Sequence, residues 1–166
     1  KDCRNLTTAI INSKTNMLSD GMFDGCINLN EIIYQNDKKL NIGKRCFRNC
    51  KSITAIPNFV ANFNERAFEN CTGLTSIDVI DSSVPFACFR GCINLNQINN
   101  QEKILNIASF AFSGCKNLEE IDILYADIIP AEAFSHCKKL KKVNLNLSVK
   151  QINSRAFFII SLLGGF

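Results

Sequence analysis

The chain holds one histidine, His136, in 166 residues. Sites built on several imidazoles are therefore excluded, and a Cys–His nucleophile pair would have to use that single ring. Its neighbour Cys137 is expected to point inward and His136 toward solvent, because adjacent residues on one turn face different ways. No apolar run approaches the length that spans a bilayer; the stretch Phe157-Phe158-Ile159-Ile160-Ser161-Leu162-Leu163 is apolar but too short. No glycine-rich phosphate loop occurs, since Gly21, Gly25, Gly43, Gly73, Gly91 and Gly114 are dispersed as turn residues. Large charge excess is missing too. Charged residues make up 20% and the net charge is +4, so a nucleic-acid partner is not expected. The chain opens Lys1-Asp2-Cys3, without an initiator Met or an apolar leader, which leads to the expectation of a fragment or processed product.

What the chain does have is one residue string repeated seven times. It reads Phe, Cys three residues later, Leu or Ile three after that, and Ile or Val three more. The cleanest copies are Phe68-Cys71-Leu74-Ile77, Phe89-Cys92-Leu95-Ile98 and Phe112-Cys115-Leu118-Ile121. The phenylalanines are Phe23, Phe47, Phe68, Phe89, Phe112, Phe134 and Phe157. A fixed period of roughly 20–25 residues predicts a solenoid, because each unit is too small to bury its own apolar face and must stack on its neighbours.

Nine cysteines would ordinarily invite a disulfide count. Six of them, Cys26, Cys50, Cys71, Cys92, Cys115 and Cys137, share the slot three after the Phe. Cys3 fits the same slot of an earlier repeat, with Leu6 and Ala9 following in register. In a stack these thiols form a column with one member per coil. Coils would lie about 4.8 Å apart, but parallel Cβ vectors disfavour a bridge. Free, buried thiols are expected. The pairs Cys46/Cys50 and Cys88/Cys92 resemble zinc half-sites. They are two coils apart, roughly 10 Å, too far to share one ion at Zn–S bonds of about 2.3 Å.

Within a unit, Asn64 is positioned to cap a short helical turn, and Ala67, Phe68 and Cys71 share its inward face. Gly73 ends the turn, and Leu74-x-x-Ile77-x-Val79 then alternates as a strand does. The position four before the Phe is Ser19, Asn64, Pro85, Pro130 or Asn153 in five copies, all good turn starters. The position five before is apolar in all seven: Leu18, Ile42, Phe63, Val84, Ile107, Ile129 and Ile152. The residue just before the Phe is small in six: Cys46, Ala67, Cys88, Ala111, Ala133 and Ala156.

The strand signature L-x-x-I-x-I with its A-F-x-x-C-x-x-L lead-in resembles the BspA-type leucine-rich repeat family. Phe110-Ala111-Phe112-Ser113-Gly114-Cys115-Lys116-Asn117-Leu118-Glu119-Glu120-Ile121 carries that pattern almost residue for residue. The resemblance runs from Cys3 to about Phe157. It implies a largely surface-exposed or secreted protein of adhesion or protein interaction, as in members from mucosal bacteria and protists. There are departures. The family's Pro after the strand is missing and Pro57 sits two residues early. The last copy has Ile160 where Cys is expected, with Gly164-Gly165 beyond it, as at a cut site or foreign join.

The expected architecture is α/β: a right-handed leucine-rich-repeat solenoid of about seven coils, each one strand plus one short helical turn. A single array fills residues 1–166, with a partial repeat at 1–17 and an atypical end at 158–166. Residues that recur hold the coils together, so recognition must be written in residues that differ. Slots eight and ten after each Phe point away from the core: Glu31 and Ile33, Ala55 and Pro57, Ser76 and Asp78, Gln97 and Asn99, Glu120 and Asp122, Lys142 and Asn144. Omitting Ala55 and Pro57, these form the candidate ligand-binding face of a non-enzymatic module that takes a protein or glycan ligand. No catalytic, metal or cofactor residues are assigned, and no cofactor is expected. An intracellular interaction scaffold is the alternative. Two basic clusters, Lys38, Lys39, Lys44, Arg45, Arg48, Lys51 and Lys138, Lys139, Lys141, Lys142, read first as solvated surface and second as sites for a polyanion. Sequons at Asn5, Asn70 and Asn146 are explained by chance in so asparagine-rich a chain.

Overall fold

The structure, a computed structural model, describes residues 1–147 and 149–158. The expectations attached to Ile160 and Gly164-Gly165 lie outside them. The order of elements is β1 (Thr8–Ile11), β2 (Met17–Leu18), β3 (Glu31–Tyr34), β4 (Asn41–Ile42), β5 (Ser76–Asp78), β6 (Ser83–Val84), β7 (Gln97–Asn99), a 3₁₀ turn (Gln101–Lys103), β8 (Asn106–Ile107), β9 (Glu120–Ile123), β10 (Ile128–Ile129), β11 (Lys142–Leu145) and β12 (Gln151–Ile152). Each strand pairs in parallel with its counterpart one coil away, for example Ile77 opposite Ile98 and Ile121 opposite Val143. The chain is a parallel β-solenoid of six turns between its first and last repeat phenylalanine.

The seven phenylalanines stand in one file. Successive rings lie 5.5 to 5.7 Å apart at 7 to 14° from parallel, from Phe23 through Phe157. Phe47, Phe68, Phe89, Phe112 and Phe134 are wholly buried, each contributing about 1.5–3 kcal/mol of burial. The cysteine column lies beside them, and all nine thiols are unbridged.

Two features differ from the sequence reading. The segment expected to be a short helical turn is a run of tight turns, and among the described residues the one helical segment is the 3₁₀ turn at Gln101–Lys103. In the Phe68 coil the N–H groups of Ala67, Glu69 and Cys71 donate within the coil to Asn64, Arg66 and Phe68. The alternating N–H groups of Arg66, Phe68 and Asn70 donate to the next coil, at Phe86, Cys88 and Arg90. Alternate donors thus serve turn and stack, which an i→i−4 helix could not do. The cost is a left-handed backbone at Arg66 (φ 55°) and Asn70 (φ 59°), and the same slots repeat at Arg45 and Asn49.

Six of the seven repeats also carry a second, two-residue strand before the Phe, such as β6 paired with β8; the Phe68 repeat has only an isolated bridge from Val60 to Leu40. The strand's inward residue is the apolar position five before the Phe, so Leu18, Ile42, Val84 and Ile129 are buried.

Candidate interaction surfaces

All ten residues of the predicted face are exposed or half-buried, and they alternate with the buried Ile77, Ile98 and Ile121. This follows from the period of two in a strand. Parallel pairing sets Ser76 beside Gln97, Asp78 beside Asn99, Lys142 beside Glu120 and Asn144 beside Asp122. Several pairs bond. Asn99 Nδ2 donates to Asp78 Oδ1 at 2.9 Å, Gln97 Nε2 to Asn99 Oδ1 at 2.8 Å, and Asn144 Nδ2 to Asp122 Oδ1 at 2.5 Å. Glu31 accepts from Thr8 Oγ1 at 3.0 Å. Ile33 lies opposite Ile10 and both are exposed, at 41% and 66%. This end of the face is apolar.

The face is not one continuous sheet. Strand pairing joins β1 to β3, β5 to β7 and β9 to β11, and stops between those pairs. Between β3 and β5 the segment 53–58 forms no strand; Pro57 has no N–H to give to a ladder. A cleft of about 260 Å³ opens there against Ile56, Pro57, Val60, Ile77 and Ile80. Between β7 and β9 the Gln101 side chain intervenes, its Oε1 accepting the Asp122 backbone N–H at 2.7 Å. The ten residues therefore form two polar quartets and one separate pair, Glu31 with Ile33. Pro57 marks the first break in the sequence; the second has no comparable signal.

The turn-bearing side, which the sequence reading did not single out, holds buried polar side chains in the slot just after the Phe. Asp24 is 3% exposed and Glu69 6%. Each finds its counter-charge one coil on. Arg48 Nε and Nη2 donate to Asp24 at 3.0 and 2.7 Å, and Arg90 lies 3.5 Å from Glu69. In later coils the slot holds Ser113 and Ser135, whose hydroxyls are 2.8 Å apart. Burial pushes the Asp24 carboxyl up, but the Arg48 hydrogen bonds and charge outweigh it and the group sits below its ordinary value.

The first basic cluster is partly compensated: Lys44 meets Glu65 at 2.9 Å, Arg48 holds Asp24, and Lys39 donates to the Asn58 carbonyl. In the second, Lys141 lies 3.4 Å from Glu119. His136 stands edge-on to Phe158 at 5.9 Å. Cys137 turns away from it, its Sγ donating to the Phe112 carbonyl at 3.2 Å.

Every other thiol of the column from Cys50 onward does the same. Cys50, Cys71, Cys92 and Cys115 donate to Phe23, Phe47, Phe68 and Phe89 one coil back, at 3.0 to 3.3 Å. Burial pushes Cys46, Cys50, Cys92 and Cys137 up to about 12. These thiols stay protonated, and Cys50, Cys92 and Cys137 act as donors. Among the described residues no three His, Cys, Asp or Glu side chains gather to hold a metal ion.

Set beside known proteins, the sequence matches the model of the BspA type leucine rich repeat region in six copies, over residues 1–84 and 82–163. A leucine-rich repeat protein from Bacteroides ovatus superposes with a TM-score of 0.77 at 22% identity, over 97% of this chain and 48% of that one. The T. pallidum leucine-rich repeat protein gives 0.57 at 25% identity, over 70% of this chain and 67% of that one. One from Eubacterium ventriosum gives 0.60 at 18% identity, over 96% and 60%. The chain thus spans about half the length of the B. ovatus protein. Curated proteins gave no sequence match.

Proposed function

The chain belongs to the BspA-type leucine-rich repeat family, and we propose that it is a non-enzymatic binding module of a cell-surface or secreted protein, using its strand-bearing face to hold a protein or glycan. The observation that carries this reading is the split between constant and variable slots. The Phe, Cys and Leu columns are consumed by packing. The residues alternating with them on β5, β7, β9 and β11 are solvent-accessible and change from coil to coil. A surface of that kind offers an extended array of distinct donors and acceptors. Family resemblance supports the surface location.

The test is binding of the purified chain to immobilised host matrix proteins and to a glycan array, beside a triple variant Gln97→Ala, Glu120→Ala, Lys142→Ala. These side chains are exposed, so melting should shift little, each costing within about 0.5 kcal/mol. The expected result is capture by the parent chain and loss in the variant. Equal capture by both would move the site elsewhere, and no capture by a folded chain would end the adhesion reading.

A second reading, an intracellular scaffold, draws on the eight buried, unbridged thiols, which suit a reducing compartment. Disulfides or glycosylated sequons in material from the native source would oppose it.

A further inference from the structure

On the turn-bearing side, the slot two after the Phe reads Asn49, Asn70, Gly91, Gly114 and His136 in successive coils. Asn49 and Asn70 fill their positions and bond to each other at 3.0 Å. Gly91 and Gly114 place no side chain there; the Asn70 carboxamide reaches over Gly91, and Gly114 is open. The result is an open groove of about 480 Å³ running across the coils, floored by the two glycines and Ser113.

Its wall carries one cation per coil in three consecutive coils: Arg90, Lys116 and Lys138. Lys116 and Lys138 are exposed and take part in no ion pair among the described residues. The acidic residue on the border, Glu69, is already held between Arg66 at 3.8 Å and Arg90 at 3.5 Å. The groove therefore presents uncompensated positive charge at the coil repeat, about 5 Å.

We propose that this groove binds a linear anionic polysaccharide, bearing sulfate or carboxylate groups, laid along the solenoid axis. Two observations favour that partner over other polyanions. The floor cannot accept a peptide strand, because Gly91 N–H is bonded to the Ser113 carbonyl at 2.8 Å and Gly114 N–H to the Ser135 carbonyl at 2.7 Å. For stacked bases it offers a single imidazole, that of His136, and no row of rings: Phe86 and Phe110 are covered by the Arg66 and Arg90 guanidinium groups at 5.3 and 5.6 Å. The site lies on a different side from the strand-bearing face, so either can fail without the other.

The test measures binding of the full chain to dextran sulfate and polygalacturonate, with uncharged dextran, oligothymidylate and polyglutamate as comparators. Both anionic polysaccharides should bind, more weakly as salt rises, and uncharged dextran should not. The double variant Lys116→Gln, Lys138→Gln should weaken binding about tenfold through two lost charge contacts. The variant Lys14→Gln, Lys103→Gln removes the same charge elsewhere and should leave it unchanged. Gly114→Asn blocks the groove with the residue that two other coils already carry here. The added Cβ would meet nothing nearer than Gly91 at 3.5 Å, and Asn tolerates the positive φ, so the variant should keep its melting temperature while losing binding. Equal loss in the two lysine pairs, undiminished binding by Gly114→Asn, tighter binding of oligothymidylate or polyglutamate, or no binding at all would each overturn the proposal.

Discussion

Replacing Phe89 by Ala should do more than lower stability; it should divide the molecule. Phe89 is wholly buried. Its ring lies 5.7 Å from Phe68 and 5.6 Å from Phe112, with Phe63 edge-on at 5.1 Å. A buried Phe→Ala change costs about 3–5 kcal/mol, part transfer and part cavity. With three ring partners, each pair worth about 0.5–1.5 kcal/mol beyond area, Phe89 belongs at the top of that range. Phe23 has one stacked partner, Phe47, and its loss belongs at the bottom. The sharper consequence concerns cooperativity. Coupling in a stacked array passes between neighbours, so a gap at the fourth ring weakens the only path between the first three coils and the last three. Guanidinium unfolding followed by far-UV circular dichroism should show a lower midpoint and a shallower or split transition for Phe89→Ala. Phe23→Ala should keep the parent slope, which scales with the surface exposed in one cooperative step. If the two variants lose equal stability with equal slopes, the file of rings is not what transmits cohesion and the nearest-neighbour argument fails.

Native labelling with a thiol reagent should modify Cys3, the one exposed cysteine, and spare the eight buried ones until denaturant is added; fast native labelling of two or more would contradict the buried column. Asp24→Asn should cost about 1–3 kcal/mol by weakening the Arg48 pair, read from denaturant midpoints. Because the folded Asp24 pKa lies below its ordinary 3.8, the stabilisation is present above that value. It is lost as pH falls through the folded pKa, so parent and variant should converge in melting temperature below about pH 3.8. Arg45→Gly should raise stability by up to about 1 kcal/mol, since an exposed non-glycine residue is held at φ 57° there and glycine relieves that strain.

The stacking itself was legible because it rests on apolar spacing: Phe, Cys, Leu and Ile recur at fixed intervals, and each recurrence marks a buried column. The turn geometry was not. The position two before the Phe is left-handed in Gly21, Arg45, Arg66, Ala87, Phe110, Glu132 and Arg155, a set with no common chemistry. Bonds to the neighbouring coil impose that conformation, so nothing local announces it. The position two after the Phe is left-handed as well, and there the signal existed: Gly25, Asn49, Asn70, Gly91, Gly114 and His136 are residue types that enter this region most easily. The two-residue strands were too short for alternation to be read, although their buried member was visible as the apolar position five before the Phe.

The same distinction explains the cysteines. Size and apolarity account for a buried Cys, but Ala or Val would also fill a small slot. The thiol adds a donor aimed at the Phe carbonyl one coil back, as Cys92 Sγ does to Phe68 at 3.1 Å. That carbonyl already accepts the Cys71 N–H at 3.1 Å, so the sulfur supplies a second bond to an acceptor with two lone pairs. Loss of the thiol would leave no orphaned group, only a void and a weaker tie between coils. The side chains that hold the stack therefore satisfy one another internally. Asp24, Glu69, Ser113 and Ser135 follow the same rule on the turn-bearing side, each paired across a coil boundary. Lys116 and Lys138 do not, and Gly91 and Gly114 place no side chain between them. A repeat array that meets its own polar needs so regularly makes such exceptions the natural places to look for a partner.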